Sequence, residues 1–164
     1  MGKRNLRITI GGIIAASLFV VALTPVWGAT ELALPSGCPY RDLRMVMDDY
    51  EVPTIHAEST EAAMFGAGFA QANHRLVQME ITRRLGRGEL AAFVGEAMLP
   101  SDREMRRLSL NKVAEESLAL YIEDERALVD AYTAGVNFYI ENCAELPAEF
   151  VINGAPRAWT PPSC

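Results

Sequence analysis

The sequence feature that most constrains the fold is an apolar stripe of helical period between residues 60 and 87. Ser59-Thr60-Glu61 predicts the start of a helix, because a hydroxyl caps the first turn and an acidic side chain there complements the helix dipole. Gly66 and Gly68 each cost about 1 kcal/mol in a helix interior, so we expect another backbone to pack closely against this face. Gly86 and Gly88 are expected to stop the helix. The stripe recurs every three or four residues and consists of Ala62, Phe65, Phe69, Ala72, Leu76, Met79 and Arg83.

The remaining helical patterns are shorter. A turn of helix is expected over residues 89–94, closed by Gly95. Ser101-Asp102 is predicted to cap a second long helix that reaches about Ile122, and Asp124 is predicted to cap a third. The residues expected to share one face of the third helix are Leu128, Ala131, Gly135, Phe138 and Asn142.

Strand signals are few. Residues 44–47 and 52–57 are β-prone runs on either side of an acidic turn, and they predict a hairpin or a strand pair. Pro53 has no backbone N–H, so its strand is expected at an edge or a bulge. A further strand candidate covers residues 150–152. The predicted fold class is therefore mostly α with a small β component (α+β).

The first 28 residues have the pattern of a secretory signal peptide. Lys3, Arg4 and Arg7 precede an uncharged apolar run from Ile8 to Leu23, and the residues up to Gly28 suit cleavage. An uncleaved membrane anchor is the alternative, because residues 8–29 could span a bilayer of about 30 Å. Residues 29–43 are expected to form an extended leader, and residues 44–164 the main segment. Either alternative predicts export, to the periplasm or the medium.

The charge balance argues against nucleic acid as a partner. The whole chain has a net charge of -6, and beyond residue 29 only 12 Lys and Arg face 21 Asp and Glu. Such a chain offers no basic face to neutralise phosphates. The only membrane contact expected is through the N-terminal segment, if it stays uncleaved.

Cysteine usage predicts no metal site. Cys38, Cys143 and Cys164 allow at most one disulfide, and they leave one thiol over. None of them has zinc-ligand spacing, and only His56 and His74 could join them. Neither a metal ligand nor a cofactor-binding residue is predicted.

No catalytic residue is predicted from spacing either. Asp48 and Asp49 are adjacent on the chain and are interpreted as turn residues. His56 is interpreted as a half-buried strand histidine and His74 as a polar-face histidine. Cys38 could act as an N-terminal nucleophile only after cleavage beside it, and no oxyanion site is recognisable nearby.

The arginines near the end of the first helix are predicted to be solvated or salt-bridged. Arg83, Arg84 and Arg87 could bind an anion, but the C-terminus of a helix repels anions. Glu80 pairs with Arg83 and Arg84 at helical spacing, for an expected gain of a few tenths of a kcal/mol.

Six ordered blocks over residues 44–163 nevertheless resemble the N-terminal, α-subunit portion of the penicillin acylase family. The most specific block is Gly68-Phe69-Ala70-Gln71-Ala72-Asn73-His74-Arg75-Leu76-Val77-Gln78-Met79-Glu80. The others are residues 46–55, Arg83-Arg84 with residues 88–91 and Gly95, Asp102 with Arg106-Arg107, residues 131–137, and residues 146–150 with 156–161.

Five positions depart from the family pattern. Glu51 stands where the family usually has Gly, Thr54 where it has His, and His74 where it has Asp; Met47 replaces Arg, and Ser163 replaces Asp. If the turn at Glu51 needs a positive φ, a side chain there costs about 1 kcal/mol or more.

The resemblance implies a partial piece of an αββα N-terminal-nucleophile hydrolase fold. Complete members hydrolyse linear amide bonds of β-lactams or acyl-homoserine lactones with a serine at the start of a downstream β chain, and they can bind calcium. Nothing in this sequence matches that serine, the pocket or the calcium ligands, so we expect the chain alone to be inactive and to need a β chain or downstream segment. The alternative is a non-catalytic exported helical binding module or a truncated gene remnant.

Overall fold

The computed structural model describes residues 30–142 and 145–163. The predicted signal peptide or anchor, Cys143 and Cys164 lie outside the described residues. The described strands and helices, in chain order, are β1 (Thr30–Glu31), β2 (Arg44–Met47), β3 (Pro53–His56), α1 (Thr60–Arg87), α2 (Ala91–Val94), α3 (Leu99–Leu108), α4 (Leu110–Leu118), α5 (Glu123–Asn142) and α6 (Ala148–Asn153), with 3-10 turns at Glu96–Met98 and Pro161–Ser163. The predicted class, mostly α with a small β component, is confirmed.

The sheet is antiparallel with the order β1-β2-β3, and it confirms the predicted strand pair. Met45 on β2 pairs with Ile55 on β3, and Pro53 begins an edge strand as predicted. The Asp48 carboxylate closes the turn between them, because its Oδ1 accepts from the backbone N–H of Tyr50 at 2.9 Å and of Val52 at 2.8 Å. Strand β1, which the sequence analysis did not predict, lies within residues 29–43 and pairs with β2.

Helix α1 is the longest element, and its ends agree with the sequence. The Ser59 hydroxyl accepts from the backbone N–H of Ala62 at 3.1 Å, which confirms the predicted cap. All seven residues of the apolar stripe are buried. The helix ends at Gly88, which has a left-handed conformation, whereas Gly86 lies inside the last turn. Arg75 departs from helical geometry at φ −139°, ψ 25°, and it marks a kink.

Helices α1 and α5 cross with their backbones in contact, which confirms the expectation raised by the glycines. A Cβ on Gly68 would overlap the carbonyl oxygen of Tyr132 on α5, and a Cβ on Gly135 would overlap the carbonyl oxygen of Phe65 on α1. Gly66 instead faces the side chains of Leu43 and Ile55. The core continues on both sides of this crossing: towards the sheet it includes Met45, Phe69 and Ala70, and towards the C-terminal segment Leu76, Met79, Phe93, Val136, Phe150 and Trp159.

The predicted second helix is wrong in its cap and in its continuity. The helix begins at Leu99, so Ser101 and Asp102 lie inside α3, and it breaks at Ser109, which adopts a left-handed φ of 55°. Asp102 is buried, and it accepts from the backbone N–H groups of Leu90 and Ala91, both at 2.9 Å. Its carboxylate therefore caps the start of α2, across the chain, rather than its own helix.

Two further predictions need correction. Helix α5 begins at Glu123, so Asp124 belongs to its first turn and is not its cap. The strand candidate at 150–152 is part of α6. Phe150 packs there against Phe93 with 5.8 Å between ring centroids, and a short apolar run can supply such a contact from either a helix or a strand.

Within residues 30–142 and 145–163, no helix combines the length and the hydropathy needed to cross a membrane.

Replacing Gly68 with alanine tests the helix crossing. Gly68→Ala should lower the free energy of unfolding by about 2 kcal/mol, because the added methyl group forces two backbones apart. Gly86→Ala is the matched control: a Cβ there meets nothing within 4 Å. That control should raise the stability by about 0.5–1 kcal/mol, since alanine is the better helix former. Urea unfolding followed by circular dichroism measures both, and equal effects would contradict the crossing.

Candidate functional site

A buried ion cluster lies at the C-terminal end of α1. Arg83 Nη2 lies 2.7 Å from Oε1 and 2.6 Å from Oε2 of Glu80, and Arg83 Nε donates to Oε2 at 2.9 Å. Arg84 Nε donates to Oε1 at 2.6 Å. The Glu80 side chain is 0% exposed, and the two arginine side chains are 5% and 11% exposed. Arg83 and Arg84 are therefore salt-bridged, which confirms one of the two predicted states for these two of the three arginines.

Because the cluster is buried, its contribution to stability is larger than the few tenths of a kcal/mol expected from helical spacing alone. An exposed pair contributes a few tenths of a kcal/mol, but breaking a buried pair leaves an uncompensated charge away from water. Both guanidinium groups also stack on aromatic rings: Arg83 lies 5.4 Å from the ring centroid of Trp159, and Arg84 lies 4.8 Å from that of Phe93. The cluster thus ties α1 to α2 and to the C-terminal segment.

Two polar clamps hold the segments around this cluster. Arg106 on α3 donates from Nε to the carbonyl oxygen of Gly88 at 2.8 Å, next to the Asp102 cap. Asn137 on α5 grips the backbone of Trp159: its Nδ2 donates to the carbonyl oxygen at 3.0 Å, and its Oδ1 accepts from the N–H at 2.7 Å. Neither role was predicted, although all these residues fall in the blocks that resemble the acylase family.

The residues considered for chemistry lie on different segments of the fold. Cys38 is half-buried and donates to the carbonyl oxygen of Tyr40 at 3.4 Å. His56 is exposed on the edge strand, so its interpretation as half-buried is wrong. Asp48 serves the β2–β3 turn, as predicted. Within the described ranges, no three His, Cys, Asp or Glu side chains come together as metal ligands.

The turn at Glu51 carries the strain that its departure from glycine predicts. Glu51 has a φ of 60°, and within the described ranges Ser109 is the other non-glycine residue with a positive φ. Glu51 Oε2 lies 4.0 Å from Nδ1 of His74 on α1. Two of the five departures therefore face each other across the same surface.

Part of the surface is apolar and exposed. Helix α4 contains no buried residue. The α3–α4 apolar surface, as we call it, is made of large side chains that are 45–84% exposed within residues 108–122: Leu108, Leu110, Val113, Leu120, Tyr121 and Ile122. So many large apolar side chains exposed along one short segment make it a candidate interaction site. Beside this surface, a groove of about 600 Å³ opens between α1, α4, α5 and the last 3-10 turn.

Comparison with known proteins shows which family model and which relatives match this chain. The family model described as penicillin amidase matches residues 42–164. Penicillin acylase 2 proenzyme of Pseudomonas sp. strain SE83 is 34% identical over 142 residues, which cover 85% of this chain and 18% of that protein. Acyl-homoserine lactone acylase QuiP of Pseudomonas fluorescens strain Pf0-1 is 31% identical over 92% of this chain and 20% of that protein.

A solved structure agrees with these relatives. The thermostable penicillin G acylase of Alcaligenes faecalis is similar with a TM-score of 0.66 and 29% sequence identity, over 74% of this chain and 67% of that chain. The chain spans about a fifth of the length of the two curated relatives above.

Glu80→Gln tests how much the buried ion cluster contributes to stability. The substitution leaves two buried guanidinium groups without a counter-charge, so the free energy of unfolding should fall by about 3 kcal/mol. Glu104→Gln is the control, because Glu104 pairs with Arg107 at the surface with side chains 58% and 81% exposed. The control should change stability by less than about 0.5 kcal/mol. Similar losses in both variants, measured by chemical denaturation, would contradict a structural role for the cluster.

Glu51→Gly tests the strained turn. Glycine adopts a positive φ without the clash of a Cβ, so the variant should gain about 1 kcal/mol in the free energy of unfolding. Its thermal midpoint should rise accordingly. Asp49→Gly serves as the neighbouring control, because Asp49 has no positive φ. That control should lose stability through the extra freedom of the unfolded chain. Differential scanning calorimetry compares the two, and a loss at position 51 would refute the strain.

Proposed function

This chain belongs to the penicillin amidase family, and from that membership we propose that it is the N-terminal segment of an exported amidohydrolase. The reaction proposed for the assembled enzyme is hydrolysis of the linear amide (N-acyl) bond of β-lactams or acyl-homoserine lactones. The named relatives include both a penicillin acylase and an acyl-homoserine lactone acylase, so both substrate classes are included in the proposal. The match over residues 42–164 is the observation that carries the proposal.

The role proposed for this chain is structural. In the proposed enzyme a serine at the start of a β chain attacks the amide carbonyl, an acyl-enzyme forms, and water releases the acid. This chain supplies the α1–α5 crossing and the small sheet, against which the nucleophile-bearing chain or segment packs. The α3–α4 apolar surface supports such a partner, because six large apolar side chains there lie open to solvent.

Export is proposed on the sequence alone. The three basic residues ahead of the apolar run, together with Val26 and Gly28 at the −3 and −1 positions of the predicted cleavage site, support a signal peptide that directs the chain to the periplasm or the medium. A membrane anchor is the alternative for the same segment. Calcium is proposed only for a complete enzyme, with ligands outside this chain.

A non-catalytic exported helical binding module, or a gene remnant, is the second candidate. The observation that favours it is the strained turn at Glu51, where a costly side chain has been retained next to two other departures from the family pattern, Thr54 and His74. The DNA that follows the Cys164 codon separates the candidates. A continuing frame that encodes a serine-headed β chain supports the enzyme, and unrelated sequence supports the remnant.

An assay of the purified chain tests the assignment of chemistry. Alone, it should show no turnover of phenylacetyl or long-chain acyl amides, because the nucleophile and the oxyanion donors belong to the partner. Release of the free acid, measured by chromatography, would overturn the proposed division of roles. Folding of the sample should be verified by circular dichroism, so that a lack of turnover is not caused by unfolding.

A further inference from the structure

Strand β3 forms one edge of the sheet, and a groove runs beside it. The strand order is β1-β2-β3, and within residues 30–142 and 145–163 no further strand pairs with β3. The β3 groove, as we call it, is a space of about 490 Å³ enclosed by the β2–β3 turn, by Pro53 and Ile55, and by α1 between Ala67 and Arg75. An open strand edge beside a groove is a place where another extended chain can pair.

The hydrogen-bond pattern of the sheet shows which backbone groups of β3 point outward. Asp48 N–H donates to the carbonyl oxygen of Val52 at 3.2 Å, so Val52 and, two residues on, Thr54 direct their backbone groups at β2. Neighbouring residues alternate in an antiparallel ladder, so those of Pro53 and Ile55 point away from β2. The same two residues of the strand line the groove. The edge therefore offers the Ile55 N–H and the carbonyl oxygens of Pro53 and Ile55.

The length of the groove can be read from contacts at its two ends. At one end a Cβ on Gly66 would lie 3.0 Å from Cγ2 of Ile55, and at the other Glu51 Oε2 lies 4.0 Å from His74 Nδ1. The four steps from Ile55 to Glu51 span about 13 Å of strand, and the eight steps from Gly66 to His74 span about 12 Å of helix. The groove is thus matched to about five residues of extended chain.

The two ends of the groove differ in chemistry. Near Ile55 the wall on α1 is made of Ala67 and Ala70, whose small side chains leave room for an apolar group. The other end is polar, and Arg75 lines it without an ion pair to any of the described residues. An uncompensated guanidinium group favours a carboxylate as its partner.

We propose that the β3 groove binds an extended polypeptide segment of a partner, which adds to the sheet as an antiparallel fourth strand. One of its residues exchanges both backbone hydrogen bonds with Ile55, and the residue two positions on donates to the carbonyl oxygen of Pro53. Side chains at these two positions are apolar and face α1, and an acidic side chain a further two positions on meets Arg75. The site involves no catalysis, so it can be tested whether or not the proposed amidase activity is found.

Hydrogen exchange at Ile55 tests the strand addition. The probe is the N-acetylated, C-amidated peptide Thr-Val-Thr-Val-Thr-Asp-Thr, added to the full chain and followed by ¹H–¹⁵N correlation NMR. Saturating peptide should slow exchange of the Ile55 N–H by about tenfold or more, because it gains an acceptor, while the Thr54 N–H, which faces β2, should not change. An unchanged Ile55 rate contradicts the proposal. Protection that rises with protein concentration without peptide also contradicts it, since the occupant would then be a second copy of this chain.

Methylated peptides test the backbone bonds. Methylating the N–H of the first valine removes the bond to the Ile55 carbonyl oxygen, so binding should weaken about tenfold. Methylating the N–H of the threonine that follows is the matched control, because that group points away from β3 and its loss should cost less than about threefold. Equal losses for the two peptides would refute pairing with the strand edge.

A charge swap tests the polar end of the groove. Replacing the peptide aspartate with asparagine should weaken binding about tenfold, and the two peptides should bind alike to Arg75→Gln. Arg103→Gln is the control, since Arg103 is exposed outside the groove, and it should keep the preference for aspartate. A preference that survives Arg75→Gln would show that the carboxylate does not meet Arg75.

Filling the groove tests its location. Ala67→Trp places a large side chain in the lining without altering the strand edge, and it should abolish peptide binding. Ala134→Trp, at an exposed alanine of α5 outside the lining, should leave binding unchanged. Circular dichroism verifies that both variants are folded. Binding that persists in a folded Ala67→Trp variant would rule out the β3 groove as the site.

Discussion

The contact between the backbones of α1 and α5 is the constraint on which the rest of the structure depends. Gly68 and Gly135 each leave room for a carbonyl oxygen of the other helix. This close approach lets aromatic rings on either side of the crossing meet: Phe65 lies 5.5 Å from Phe138, and Phe69 lies 5.6 Å from Tyr139, between ring centroids. A larger residue at either glycine would separate the rings as well as the backbones.

The buried ion cluster extends the same arrangement to the C-terminal end of α1. Removing Glu80 and its arginines from water is costly, and the cost is offset because every carboxylate oxygen is hydrogen-bonded and both guanidinium groups lie on aromatic rings. The cluster also holds Trp159 in place, because the Arg83 guanidinium lies 5.4 Å from the centroid of its ring. Helix packing and charge pairing therefore act together at this end of α1.

The fold could be predicted where the interacting residues lie close together in the same short segment. Ser59 caps the helix that follows it, Asp48 closes its own turn, and the strain at Glu51 follows from the turn that surrounds it. The failures concern residues whose partners are distant in sequence. Asp102 was predicted to cap its own helix, but its carboxylate accepts from the backbone N–H groups of Leu90 and Ala91. The helix break at Ser109, which has a positive φ, has no signal in the neighbouring sequence.

The sequence by itself determined the helical stripe of α1, the close approach that its glycines require, the strand pair and the family resemblance, because periodicity, capping and motif order are properties of the chain alone. Only the tertiary structure decided how those pieces act together. It buried Glu80 with its two arginines and brought Asn137 to the backbone of Trp159. Burial and hydrogen-bond partnership depend on residues far apart in sequence, so they exist only once the helices have packed.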